Sequence, residues 1–233
     1  EALAEANPNL AVVIVSGNAV AMPWIDRVPA VLEAWFSGSE AGNALADVVF
    51  GAVNPSGKLP FTFPVRLEDN GAHALGEYPG SDKVKYNESI FVGYRWHDKE
   101  QLKPLFAFGH GLSYTAFAVG NVKADRTALA PNGSIRISAD VTNTGDRAGA
   151  EVVQLYIGDE QSSLPRPVKE LKGFQKVSLN PGQTRTVTFE ITPGMLQYYD
   201  DAKGAWVAEP GAFTAYVGAA SDDIRGTVEF ELK

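Results

Sequence analysis

From about Ala116 onward, short stretches of alternating polarity recur between turn signals, and this pattern sharply limits what the chain can fold into. "SIRISADVTN", "EVVQLYIG", "LKGFQKVSL", "TRTVTFEI", "AFTAYVGA" and "TVEFEL" are divided by "PNG", "NTGD", "NPGQ" and "EPG". A period of two places alternate side chains on one face of a strand, and the Gly, Asn and Pro clusters mark reversals. Some seven short strands in roughly a hundred residues, with no helical segment, predict a β-sandwich of the immunoglobulin or fibronectin type III kind.

The preceding residues have a different texture. "LAVVIVSG" is a continuous apolar run suited to a buried parallel strand, central in its sheet over Ala11 to Ser16. Helical stretches are expected around Val28 to Phe36 and over Glu40 to Phe50, the latter with Ser39 as cap and Gly51 as terminator. "LPFTFP" reads as an edge strand, because Pro60 and Pro64 limit pairing. The predicted fold class is α/β followed by all-β, with residues 1–115 in the first domain and 116–233 in the second. One clear strand is little for a doubly wound sheet. "EALAEANPNL" reads as the last turns of a helix, so the chain is expected to begin inside a domain. Val65 to Leu112 is too rich in apolar groups for a flexible linker and is expected to pack between the two halves.

Composition narrows function. Of 233 residues, 45% are hydrophobic and 21% charged, as in an ordinary globular protein. The balance of 20 basic and 28 acidic residues gives a net charge of -8 without a basic cluster, which argues against nucleic acid or an anionic membrane as partner. With no cysteine, disulfides and thiolate metal sites are excluded. No apolar run approaches a membrane span, and the opening residues lack the basic region and apolar core of a signal peptide.

"GAVNPSGKLPFTFP" has glycines and a lysine in an order like that of a phosphate-binding loop. Five residues rather than four separate Gly51 from Gly57, however, and Leu59 follows Lys58 where Ser or Thr is required. The order helix, loop, strand also turns the negative end of a helix dipole toward the loop. Lys58 is read as a surface or salt-bridged residue. His73, His97 and His110 have no metal-ligand spacing, so the expectation is no metal and no cofactor. His110 reads as a loop histidine bonded to backbone. Trp24, Trp35 and Trp96 are commoner as packed residues than as sugar platforms. Trp96 with His97 is the first pair to test for sugar contact. "NES" at Asn87 and "NGS" at Asn132 fit the glycosylation pattern, which also arises by chance.

"NPNLAVVIVSGNAVAMPWID", "AWFSGSEAGNALADVVFGAVNPSGKLPFTFP", "YNESIFVGYRWHD", "PLFAFGHGLSYT", "SSLPRPVKELKGFQKVSLNPGQT" and "WVAEPGAFTAYVG" together resemble the carboxyl-terminal part of glycoside hydrolase family 3, the β-glucosidases, β-xylosidases and relatives. The resemblance implies a partial α/β sandwich domain followed by a fibronectin type III-like domain. It implies a retaining enzyme that cleaves terminal β-linked sugars, with its nucleophilic aspartate in an absent barrel domain and its acid/base glutamate before the strand matching "AVVIVSG". Neither Glu1 nor Glu5 matches that loop. The expectation is therefore a supporting portion without catalytic residues, its substrate-binding groups unknown. Its expected partners are the missing amino-terminal segment and, through the assembled enzyme, an oligosaccharide or glycoside. The resemblance also implies a periplasmic or secreted location. Ser37 stands where the family has "PG" and Ser89 where it often has glycine, so serine would be strained at either place if a special backbone angle is needed. A stand-alone carbohydrate-binding or scaffolding module is the alternative.

Overall fold

The computed structural model describes residues 1–233. A short helix, Ala2–Ala6 (α1), leads into Ala11–Ile14 (β1), and β1 pairs in parallel with Ala30–Glu33 (β2), from Ala11 opposite Ala30 to Ile14 opposite Glu33. The expected helix over Val28 to Phe36 is therefore a strand. Pro29 holds the preceding Val28 extended (φ -121°, ψ 115°), and the ladder to β1 overrides the helical preference of the Ala-Val-Leu-Glu run. β1 is less covered than a central strand should be: it pairs only with β2, and Val13 within it and Val15 just beyond it are exposed.

Helix Ala41–Val49 (α2) follows a 3-10 turn at Gly38–Glu40. Ser39 does not cap it; Glu40 is the cap residue and makes no side-chain cap bond. Gly51 ends α2 as expected, at φ +78° with its N–H bonded to the Val48 carbonyl. "LPFTFP" forms no strand. Phe63 makes a single antiparallel bridge to Phe106 and Leu59 exchanges backbone bonds with Gly109 and His110, but Pro60 and Pro64 remove the donors that would join these into a ladder. Two further helices, Gly71–Ala74 (α3) and Tyr94–Glu100 (α4), complete this half.

The sandwich lies in the second half. Its strands are Phe117–Ala124 (β3), Ala128–Leu129 (β4), Ile135–Asn143 (β5), Gly149–Asp159 (β6), Glu170–Leu179 (β7), Thr184–Ile191 (β8), a small hairpin of Tyr198–Asp200 (β9) with Ala205–Val207 (β10), and Gly211–Ala220 (β11) with Asp223–Leu232 (β12). One sheet has the order β4-β12-β11-β6-β7 and the other β3-β5-β8. The alternation along β5 buries Ile135, Ile137, Ala139 and Val141 completely, and they face Val153, Leu155, Ala215 and Val217 across one continuous core. The strands named from the pattern are all present. β3, β4 and the β9–β10 hairpin are additions.

Val65 to Leu112 packs against the sandwich. Tyr94 of α4 stacks on Phe108 at 5.0 Å, meets Tyr156 edge-on at 5.8 Å, and accepts the Leu171 N–H through its hydroxyl at 3.0 Å. Lys169 pairs with Asp98 of α4 at 2.6 Å and Glu170 with Arg95 at 3.1 Å. The glycines of "FGHGLSYT" permit close approaches: a β-carbon at Gly109 would collide with the Gln154 amide of β6, and one at Gly111 with the Gly57 carbonyl of the loop after α2.

Candidate functional site

In parallel sheets, ligands gather beyond the carboxyl ends of the strands. A cleft of ≈ 510 Å³ opens at those ends of β1 and β2, between Val15, the loop Trp35–Gly38 and helix α2. Local backbone shapes it. Trp35 takes φ +52°, a left-handed angle that costs an aromatic residue free energy, and Gly38 takes φ +72°. The Glu33 carboxylate accepts the Trp35 N–H at 3.2 Å, and the Ser37 hydroxyl donates to the Ala34 carbonyl at 2.5 Å. Phe36 is thereby turned to solvent at 76% exposure, beside Gly17, where a β-carbon would stand 2.9 Å from the ring.

Behind the cleft, aromatic rings run to the sandwich. Trp35 packs edge-on against Phe61 (5.3 Å) and Phe63 (6.2 Å), Phe63 against Phe106 (6.1 Å), and Phe106 stacks on His110 (5.2 Å). Burial, with the Lys58 cation second, pushes the His110 imidazole below its ordinary pKa and favours the neutral form. Lys58 itself reaches the Glu151 carboxylate of β6 at 2.7 Å, so of the two readings it is salt-bridged rather than free on the surface. The lining is mostly apolar, with Glu33 and Ser37 as its polar side chains. The arrangement suits covering by an apolar segment better than proton transfer.

The other singled-out residues scatter. Trp96 is core, its ring over Gly71 and Lys99 at 5.2 Å from its centroid, so it offers no face to a sugar. His97 beside it is buried, with Nδ1 on the Gly93 carbonyl at 3.0 Å. Trp24 is half-buried at the start of a 3-10 turn, and His73 packs on Tyr78. The Glu5 carboxylate pairs with Arg27 at 3.1 Å on the surface. Ser89 has φ +53°, the special angle the resemblance raised, whereas Ser37 at φ -83° is unstrained. Sequence reasoning missed Asn54. Its side chain accepts from the Ser113 hydroxyl (2.9 Å) and the Tyr114 N–H (2.8 Å) and donates to the Ala148 carbonyl (3.0 Å), tying the loop after α2 to the sandwich. The signal available was the "NP" that starts the turn.

Residues 1–114 match the pattern described as the glycosyl hydrolase family 3 C-terminal domain, and residues 151–221 that of the fibronectin type III-like domain. The chain belongs to glycosyl hydrolase family 3. Within that family it is 54% identical over 99% of its length to beta-glucosidase BoGH3A of Bacteroides ovatus, covering 31% of that protein. Among solved structures it is similar to a beta-glucosidase from Kluyveromyces marxianus in complex with glucose, with TM-score 0.92 and 43% identity over the whole chain and 28% of that structure. DesR, a beta-glucosidase from Streptomyces venezuelae in complex with D-glucose, gives TM-score 0.93 and 41% identity over 100% of this chain and 30% of its own. The chain thus spans under a third of the length of these family 3 relatives.

Proposed function

We infer that this chain is the supporting, carboxyl-terminal portion of a retaining β-glucosidase or β-xylosidase-like hydrolase that removes terminal β-linked sugars. The observation that carries the reading is the unbroken match to beta-glucosidases along essentially the whole chain. Retaining hydrolysis needs two carboxylates about 5 to 5.5 Å apart, one attacking the anomeric carbon and the other protonating the departing oxygen. Both are assigned to the remainder of the parent protein, whose acid/base loop would lie over the cleft at the carboxyl ends of β1 and β2. The fibronectin-like sandwich would hold that floor through the aromatic row and the Lys58–Glu151 pair. A secreted or periplasmic setting accompanies this reading.

The test compares the full-length parent with the 233-residue chain on p-nitrophenyl β-glucoside and β-xyloside. The parent should turn over at least one of them with net retention of anomeric configuration, followed by NMR, and the chain alone should turn over neither. Turnover by the chain, in a preparation free of the parent, would overturn the supporting role. A full-length protein that inverts configuration would overturn the mechanism.

A further inference from the structure

A second cavity lies where α4 meets the sandwich, far removed in character from the apolar cleft. It holds ≈ 290 Å³ and is bounded by Thr62, His97, Asp98 and Lys103 on one side and by Ser221 and Asp222, at the β11–β12 turn, on the other. Gln101 makes the bend that walls it. This residue takes a left-handed conformation (φ +53°, ψ 38°) at the end of α4, and Leu102 returns its N–H to the His97 carbonyl at 2.9 Å. A strained non-glycine residue at the rim of a cavity is the kind of feature that marks ligand sites.

Two buried polar groups on the lining have no partner. His97 is 7% exposed, and its Nδ1 faces the Gly93 carbonyl, which can only accept; the ring proton is therefore on Nδ1, and Nε2 is a bare acceptor without a donor. Thr62 is also 7% exposed, and its hydroxyl is unpartnered. Buried polar atoms are nearly always satisfied, so these two call for an occupant. The space is about ten times the volume one water claims in the liquid and stands at the lower end of small-molecule sites. Asp98 is neutralised by Lys169 at 2.6 Å, and Lys103 on the lining offsets Asp222, so the cavity carries no net charge that would select an ion. No three His, Asp or Glu side chains are placed to share a metal ion. What remains is a neutral molecule with several hydroxyl donors and a carbon face for Leu102 and Pro104.

We propose that this junction cavity binds a small polyhydroxylated molecule of monosaccharide size, with one hydroxyl donating to His97 Nε2 and another paired with Thr62. The assignment rests on the cavity alone and is independent of hydrolysis. D-glucose is the probe. In the full-length protein, the 15N resonance of His97 Nε2, assigned with a His97→Gln variant, should shift on addition of D-glucose as the lone pair accepts a hydrogen bond. Thr62→Val should weaken the apparent Kd from that titration at least tenfold with the thermal midpoint unchanged. Crystals soaked in D-glucose should show the ring between His97 and Ser221. A His97 resonance indifferent to D-glucose, or a soaked cavity holding only ordered water, would overturn the proposal. If Thr62→Val fails to fold, the wild-type titration and the soaked crystal decide the matter.

Discussion

Lys58 Nζ lies 2.7 Å from Glu151 Oε1, with the two side chains only 12% and 10% exposed, and so the loop after α2 is fastened to β6 by a nearly buried ion pair. Lys58 also donates to the Gly111 carbonyl at 3.0 Å, and the Val152 N–H donates to Glu151 at 2.7 Å, so each charge has a second partner. Removing one charge strands the other. Lys58→Met should cost about 3 kcal/mol in urea denaturation, whereas Lys58→Met with Glu151→Leu should recover most of that. Additive losses in the double variant would show that the pair is not coupled.

Ser89 offers a gain instead. An L-residue at φ +53° pays about 1 kcal/mol or more for its left-handed angle, and glycine avoids this while giving back part of it through a more flexible unfolded chain. Ser89→Gly should raise stability by about 0.5 kcal/mol in the same denaturation experiment. Ser37→Gly should not, since φ there is -83° and the hydroxyl's bond to Ala34 would be lost.

The contrast between these serines shows what sequence conveys. The sandwich strands were legible because one face of each is buried and the other wet, and alternation such as that of Ile135, Ile137, Ala139 and Val141 writes this directly into the residues. β2 was not legible, because Ala-Val-Leu-Glu has no alternation and its state is fixed by pairing with β1 nineteen residues earlier. In "LPFTFP" alternation was present without a ladder, since its prolines withhold donors. The partners of Lys58, Asn54 and His97 are set by contacts between distant segments, on which local pattern is silent.

His110 should make stability depend on pH. Burial and the Lys58 cation lower its folded-state pKa, so the folded protein holds this proton more weakly than the unfolded chain does. The contribution is complete above the ordinary imidazole value of about 6.5 and is lost as pH falls from there through the folded-state value. His110→Phe, which keeps a ring against Phe106, should show a shallower decline between about pH 6.5 and 5 in paired denaturation curves. Parallel curves for the two proteins would refute this role.

The core cluster belongs wholly to the sandwich, from Val119 to Leu232. Residues 116–233 should therefore fold as an isolated fragment, and limited proteolysis of the whole chain should leave this part as the resistant core. Leu155→Ala, at a fully buried position, should cost the fragment about 3 kcal/mol. Survival of residues 1–115 as the resistant piece would reverse the expected order of stability.

The mouth of the apolar cleft makes the last prediction. Phe36 is 76% exposed and Val15 62%, and both line a space whose walls are chiefly apolar. Such surface favours contact with other apolar groups. In the chain alone it should bind an environment-sensitive dye and promote self-association at high concentration. Replacing both residues, Val15→Thr with Phe36→Ser, should reduce dye binding while leaving the thermal midpoint nearly unchanged, because neither side chain is packed. In the full-length parent the same pair should behave in the opposite way. If another segment covers the cleft, the double substitution should cost about 2 kcal/mol or more through lost apolar burial, and dye should bind only after the change. Equal stability of the substituted and unsubstituted parent would mean that the cleft stays open there, and the covering role assigned to the acid/base loop would then fail.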